Sequence, residues 1–128
     1  NGLEDKVNFL GYRDISEVRN YLSKTDIFLH PCVTDSEGDK SSTPTILLQA
    51  QAAGVPIVST YHAGIPEIVS DSAILVDEKD SQQLTEALED LISRRDEWES
   101  IGKEGRKYVE ENHSLSNIAK KLEEVYQD

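Results

Sequence analysis

Two stretches of this 128-residue chain gather groups able to hold an anion. The first runs Ser36-Glu37-Gly38-Asp39-Lys40-Ser41-Ser42-Thr43-Pro44-Thr45. Its last residues bring hydroxyls and free backbone N–H groups to the start of a helix-like run. The partial positive charge at such a start favours an anion such as a diphosphate. Gly38 allows a sharp turn and a close backbone approach to a ligand. Taken alone, a Thr-Pro-Thr sequence also fits a plainer reading, a capped helix after a solvent loop. The second stretch, Tyr61-His62-Ala63-Gly64-Ile65-Pro66-Glu67, repeats the design with small residues before a proline-started turn. His62 can hydrogen-bond a phosphate or a sugar hydroxyl, or stand there simply as a loop histidine.

Other reactive side chains say less. His30 lies before Pro31 at the end of an apolar run, where a structural role and a ligand contact are equally open. His113 precedes a helix cap and reads as a surface residue. No pair of these histidines has metal-ligand spacing. Cys32 sits in an apolar run and reads as a buried structural thiol rather than a nucleophile. As the single cysteine it excludes an internal disulfide and fits a reducing cytoplasm.

The elements that position these groups alternate between strand and helix. Val7-Asn8-Phe9-Leu10-Gly11 is a β-like run ended by glycine, and Asp14 with Glu17 has the spacing of a capping box. The helix that follows places Ile15, Val18, Tyr21 and Leu22 at helical spacing. Ile27 to Pro31 is continuously apolar, as suits a strand covered on both faces. Thr43 and Pro44 read as N-cap and first helical position of a helix that stops at Gly54. Pro56 to Thr60 and Ala73 to Asp77 are further strands, with a short helical turn from Gly64 to near Val69 between them. Asp80 and Gln83 suggest another capping box, ahead of Leu84, Leu88, Leu91 and Ile92 on one face. Trp98, Ile101, Gly105 and Tyr108 mark a second helix. Ser114 caps a third, whose buried stripe is expected to be Leu115, Ile118, Ala119, Leu122, Val125 and Tyr126. This order predicts an α/β fold, a Rossmann-like parallel sheet with flanking helices and an all-helical tail. In such sheets ligands bind beyond the carboxyl ends of the strands, where both loops lie.

Composition narrows the classes of partner. With 13 Lys+Arg against 25 Asp+Glu and a net charge of −12, the chain lacks the basic surface that nucleic acid requires. A small phosphate-bearing ligand stays compatible, since helix-terminal amides need no basic side chains. No stretch approaches the roughly 20 apolar residues of a membrane helix. The absence of methionine and the start at Asn1 lead us to expect a fragment of a longer polypeptide.

The run from Thr43 through Gly54-Val55-Pro56-Ile57-Val58-Ser59-Thr60, followed by His62-Ala63-Gly64-Ile65-Pro66-Glu67-Ile68-Val69, resembles the donor-binding signature of the retaining glycosyltransferase family 4, of the GT-B fold. The flanking Val7 to Gly11 and Asp26 to Pro31 match strands of that family, so the resemblance covers nearly the whole chain. The loop at Gly38-Asp39 is nearest the branch of colanic-acid-type polysaccharide transferases. The resemblance implies that residues 1–128 form a single partial domain of the C-terminal, donor-holding half. It also implies a UDP-, GDP- or ADP-sugar as partner, transfer with retention, no metal or other cofactor, and a cytoplasmic place. The donor site it implies comprises Ser41, Ser42, Thr43, Pro44, Thr45, Gln49, His62, Ala63, Gly64 and Ile65.

The sequence departs from the family pattern at two glutamates eight positions apart, which are here Ser41 and Gln49. Gln49 can still accept a hydrogen bond from a ribose hydroxyl, but without charge. Ser41 cannot support developing positive charge, and Glu37 is a candidate substitute. The family's earlier strands and N-terminal acceptor domain have no counterpart before Asn1. The sheet edges thus exposed are expected to pair with each other or to form a homodimer. The leading expectation is therefore a glycosyltransferase fragment that is inactive alone. A noncatalytic nucleotide-sugar-binding module and a ligand-free, self-assembling unit are the alternatives.

Overall fold

A computed structural model describes residues 2–38 and 44–127. Its described strands form one parallel sheet in the order β1 (Phe28–His30), β2 (Ile57–Thr60), β3 (Ala73–Val76). The helices are α1 (Ile15–Leu22), α2 (Thr45–Ala52), α3 (Ile65–Val69), α4 (Ser81–Ser93), α5 (Trp98–Asn112) and α6 (Leu115–Gln127). The expected α/β architecture with a helical tail is the one observed.

β2 is the centre of the sheet and all four of its residues are buried. It pairs with β1 from Phe28↔Ile57 to His30↔Ser59, and with β3 from Ile57↔Ala73 to Thr60↔Val76. Buried hydroxyls need partners. The Ser59 hydroxyl donates to the His30 carbonyl at 2.6 Å, and the Thr60 hydroxyl to the Cys32 carbonyl at 2.6 Å. These two bonds hold the chain leaving β1 against the end of β2. Leu22, Leu47, Ala50, Ile57, Ile65, Ile68 and Val69 make the core.

Local sequence signals explain the helix ends. Asp14 and Glu17 form the reciprocal box, with the Glu17 amide on the Asp14 carboxylate at 2.9 Å and the Asp14 amide on Glu17 at 3.1 Å. At α4 only half of the expected box forms. Asp80 accepts from the Gln83 amide at 2.9 Å, while the Gln83 side chain turns to the Asp77 and Asp80 carboxylates. α2 begins one residue later than expected, with Pro44 as N-cap, and Thr43 lies outside the described residues. A shift of one residue is within the ordinary spread of helix boundaries.

The end of α2 is a Schellman turn. The Val55 amide donates to the Ala50 carbonyl at 3.1 Å and the Gly54 amide to Gln51 at 2.9 Å. That turn puts Gly54 at φ +74°, where a side chain is strained. α5 then packs on this turn at Gly102, a buried glycine. A Cβ on Gly102 would overlap the Gly54 carbonyl oxygen and carbon. Gly105, one turn on, has room: its nearest neighbour would be the Gln51 Cγ at 3.6 Å. Beside it, buried Gln51 donates to the Ile68 carbonyl at 3.0 Å and accepts from the Ser72 hydroxyl at 2.7 Å.

Three expectations are corrected. Val7 to Gly11 forms no strand, because no described strand lies beside it; Phe9 is 96% exposed. The outer edge of β1 likewise has no described partner, so the expected pairing of one edge with the other is not seen within the chain. The apolar stripe of α6 is not buried either, with Leu115 at 87% and Tyr126 at 86% exposure. Amphipathicity specifies which face a helix would bury, and among the described residues nothing covers this one.

The glycine contact yields a direct check by urea unfolding. Gly102→Ala is expected to destabilise the chain by about 3 kcal/mol, since neither backbone can move without disturbing α2 or α5. Gly105→Ala is expected to be neutral or stabilising by up to about 1 kcal/mol, through helix propensity.

Candidate functional site

Because all three strands run parallel, His30, Thr60 and Val76 end on the same side of the sheet. The segments that leave them begin at Pro31, Tyr61 and Asp77. The Tyr61 amide donates to the Val76 carbonyl at 2.9 Å, which keeps the second and third segments adjacent.

One carboxylate joins all three. Glu78, two residues beyond β3, accepts the Thr34 amide at 2.7 Å and the Thr34 hydroxyl at 3.1 Å. The same Oε1 lies 2.7 Å from Nδ1 of His62, whose side chain is fully buried. The Thr34 amide first and the His62 ring second hold the Glu78 carboxyl down at about 2, against its ordinary 4.5. Glu78 therefore stays ionised, and it draws the loop after β1 and the loop after β2 to a common point.

Near this point His30 and Cys32 form a structural pair. His30 stacks on Phe28 at 5.9 Å, and its Nδ1 lies 3.2 Å from the Cys32 sulfur. Burial pushes the His30 imidazole down from its ordinary value. Burial, helped by the charge of Glu78, pushes the Cys32 thiol up, against the direction a nucleophilic thiol needs. Cys32 is half-buried rather than fully buried. His113, expected on the surface, is half-buried against Tyr108 with ring centroids 5.8 Å apart.

The residues expected to hold a ligand divide into groups. Ser41, Ser42 and Thr43 lie outside the described residues. Pro44 and Thr45 stand at the start of α2, half-buried and exposed respectively. Gln49 lines a cleft of about 300 Å³ with Arg19, Leu22, Ala52 and Ala53. Its Oε1 is buried and has no hydrogen-bond partner among the described residues. His62 is buried, Ala63 is exposed at φ +45°, and Gly64 is half-buried. The Ile65 side chain is in the core and its amide donates to the His62 carbonyl at 3.0 Å. Gln49 and the residues from His62 to Ile65 share no described cavity.

A separate cleft of about 260 Å³ opens at the strand ends, lined by Pro31, Val33, Thr60, Val76 and Leu84 among others. Sequence reasoning missed Glu78, since an acid within Asp77-Glu78-Lys79-Asp80 reads as a solvated turn. Its position just past a strand's carboxyl end was the available signal. Among the described residues no group of histidine, cysteine and acids is arranged to hold a metal ion.

The depressed carboxyl of Glu78 sets the sign of a pH effect. Its charge stabilises the fold fully above about pH 4.5, and that contribution is lost as pH falls toward 2. In chemical unfolding, Glu78→Gln is expected to be less stable than the parent at pH 6, with the gap closing between pH 4.5 and 2. A gap that stays constant over that range would contradict this assignment.

Comparison with known proteins agrees with the geometry. A profile described as Glycosyl transferases group 1 matches residues 1–94. WcaL of Escherichia coli (strain K12), provisionally named a colanic acid biosynthesis glycosyltransferase, is 37% identical over 128 residues, covering 98% of this chain and 32% of that protein. A GDP-mannose-dependent alpha-(1-6)-phosphatidylinositol monomannoside mannosyltransferase of Mycobacterium tuberculosis (strain CDC 1551 / Oshkosh) is 30% identical over 124 residues. It is covered to 32% by 94% of this chain. The crystal structure of Anabaena HepE in complex with UDP-glucose shares the fold, with a TM-score of 0.80 over 98% of this chain and 33% of that one, at 20% identity. The chain thus spans about a third of the length of the curated relatives it matches. The profile match, the relatives and the parallel sheet agree, and the chain belongs to the glycosyl transferases group 1 family.

Proposed function

We propose that residues 1–128 are the donor-binding part of a retaining, GT-B-type glycosyltransferase and hold a nucleotide-diphosphate sugar. Transfer to an acceptor, in polysaccharide or glycoconjugate synthesis, then needs the rest of a longer polypeptide. The observation that carries this reading is the convergence of the loops after β1 and β2 on Glu78, at the carboxyl end of a parallel sheet. Ligands of open α/β sheets bind at that end. Family membership supports the transferase chemistry, and HepE is a fold neighbour described with UDP-glucose bound.

In this reading backbone amides at the start of α2 face the diphosphate, together with Ser41, Ser42, Thr43, Pro44 and Thr45. Ala63 and Gly64 meet the donor through their backbone. Ile65 contributes shape, because its amide already serves the His62 carbonyl. Gln49 accepts a ribose hydroxyl, for which its unpartnered Oε1 is suited. No cofactor is required. A single free thiol suits a reducing compartment, and we place the chain in the cytoplasm. Among the described residues no helix is long and apolar enough to cross a membrane.

One observation favours a second reading, a binding module without catalysis: Ser41 and Gln49 stand where the family pattern has two carboxylates. A charge-assisted hydrogen bond is roughly twice as strong as a neutral one. Titration calorimetry with UDP, GDP, ADP and their sugar conjugates tests both readings. Saturable binding to one nucleotide is expected, and it names the base. Gln49→Glu is expected to tighten that binding by about fivefold, on the difference between a neutral and a charged acceptor. No heat at millimolar nucleotide, in the parent and in the Ser41→Glu, Gln49→Glu double variant, would reject donor binding altogether. Sedimentation of the same sample tells whether the open β1 edge and the apolar N-terminal segment bring two copies together.

A further inference from the structure

We propose that Glu78 is a positioning residue for the donor site: it fixes the His62 ring in one tautomer and locks the loop after β1 to the loop after β2. The proposal rests on the donor-site reading above and goes beyond it by assigning a role to a residue outside the family signature.

The geometry places one proton of the ring. An ionised carboxylate can only accept hydrogen bonds. Glu78 Oε1 and His62 Nδ1 are 2.7 Å apart, so the proton between them belongs to the ring. The ring therefore carries its hydrogen on Nδ1, and in the neutral form Nε2 bears the lone pair.

The same carboxylate also fixes the other loop. Thr34 gives Glu78 both its amide and its hydroxyl, at 2.7 and 3.1 Å, across 44 residues of sequence. With the His62 side chain fully buried, the ring cannot follow solvent if Glu78 is removed. The Nδ1–H then loses the acceptor that holds it, and a buried hydrogen bond lost is costly. Loss of Glu78 therefore disturbs two ligand-facing loops through one deletion.

The test uses the whole 128-residue chain with nitrogen-15-labelled histidine. Long-range proton–nitrogen spectra at pH 8 report the tautomer of each ring, and His62→Gln identifies the His62 signals. We expect the Nδ1–H form for His62 in the parent. In Glu78→Ala we expect that form to be lost, the Thr34 amide to shift, and UDP affinity to fall about tenfold, the effect of one lost hydrogen bond. Glu78→Gln, which keeps an acceptor oxygen, is expected to fall between the two. An Nε2–H form in the parent would overturn the proposal without need of any variant, and so would a tautomer unchanged in Glu78→Ala. A parent chain that shows the Nδ1–H form but ignores millimolar UDP would support the Glu78 assignment and reject the donor reading instead.

Discussion

Parallel pairing is the constraint from which the rest of this structure follows. Each strand must be regained from its far end, so every return needs a helix or a long loop, and all carboxyl ends gather on one side. β2 is the strand that makes this hold, buried along its whole length between β1 and β3. Its two polar residues, Ser59 and Thr60, are tolerated there because each donates to a carbonyl of the segment leaving β1. The hydroxyls that could have weakened the sheet centre instead guide the loop after β1.

Two contacts then fix what lies around the sheet. On the helical side, Gly54 and Gly102 let the turn after α2 and α5 meet backbone to backbone. At the carboxyl ends of the strands, Glu78 gathers Thr34 and His62. The chain is strongly acidic, yet this carboxylate has three donors of its own and is not left as a bare charge facing an anion.

What could be read from the sequence is what local rules decide. The Asp14–Glu17 box and the Gly54 stop of α2 each depend on a few neighbouring residues, and they formed as expected. The parallel pairing of the strands follows from alternation of strand and helix. Elements whose fate depends on a remote partner were not legible. Val7 to Gly11 has strand-like residues but no ladder, and α6 has an apolar stripe but no described surface over it. Glu78 was hidden for a related reason. Its role exists only once residues 44 and 16 positions away arrive beside it, and nothing in Asp77-Glu78-Lys79-Asp80 announces them. At α4, Gln83 had two carboxylates within reach, and the reciprocal cap lost to them.

The central claim is that loops from separate strands form one donor pocket. Backbone amide shifts of the 128-residue chain during titration with UDP-glucose test it most directly, because they report where the ligand sits. Thr34, Thr45, Ala63 and Gly64 are expected to move together with a single saturation curve. A dispersed spectrum in which none of these amides moves at millimolar UDP-glucose would contradict it, and would leave a folded scaffold without a donor site.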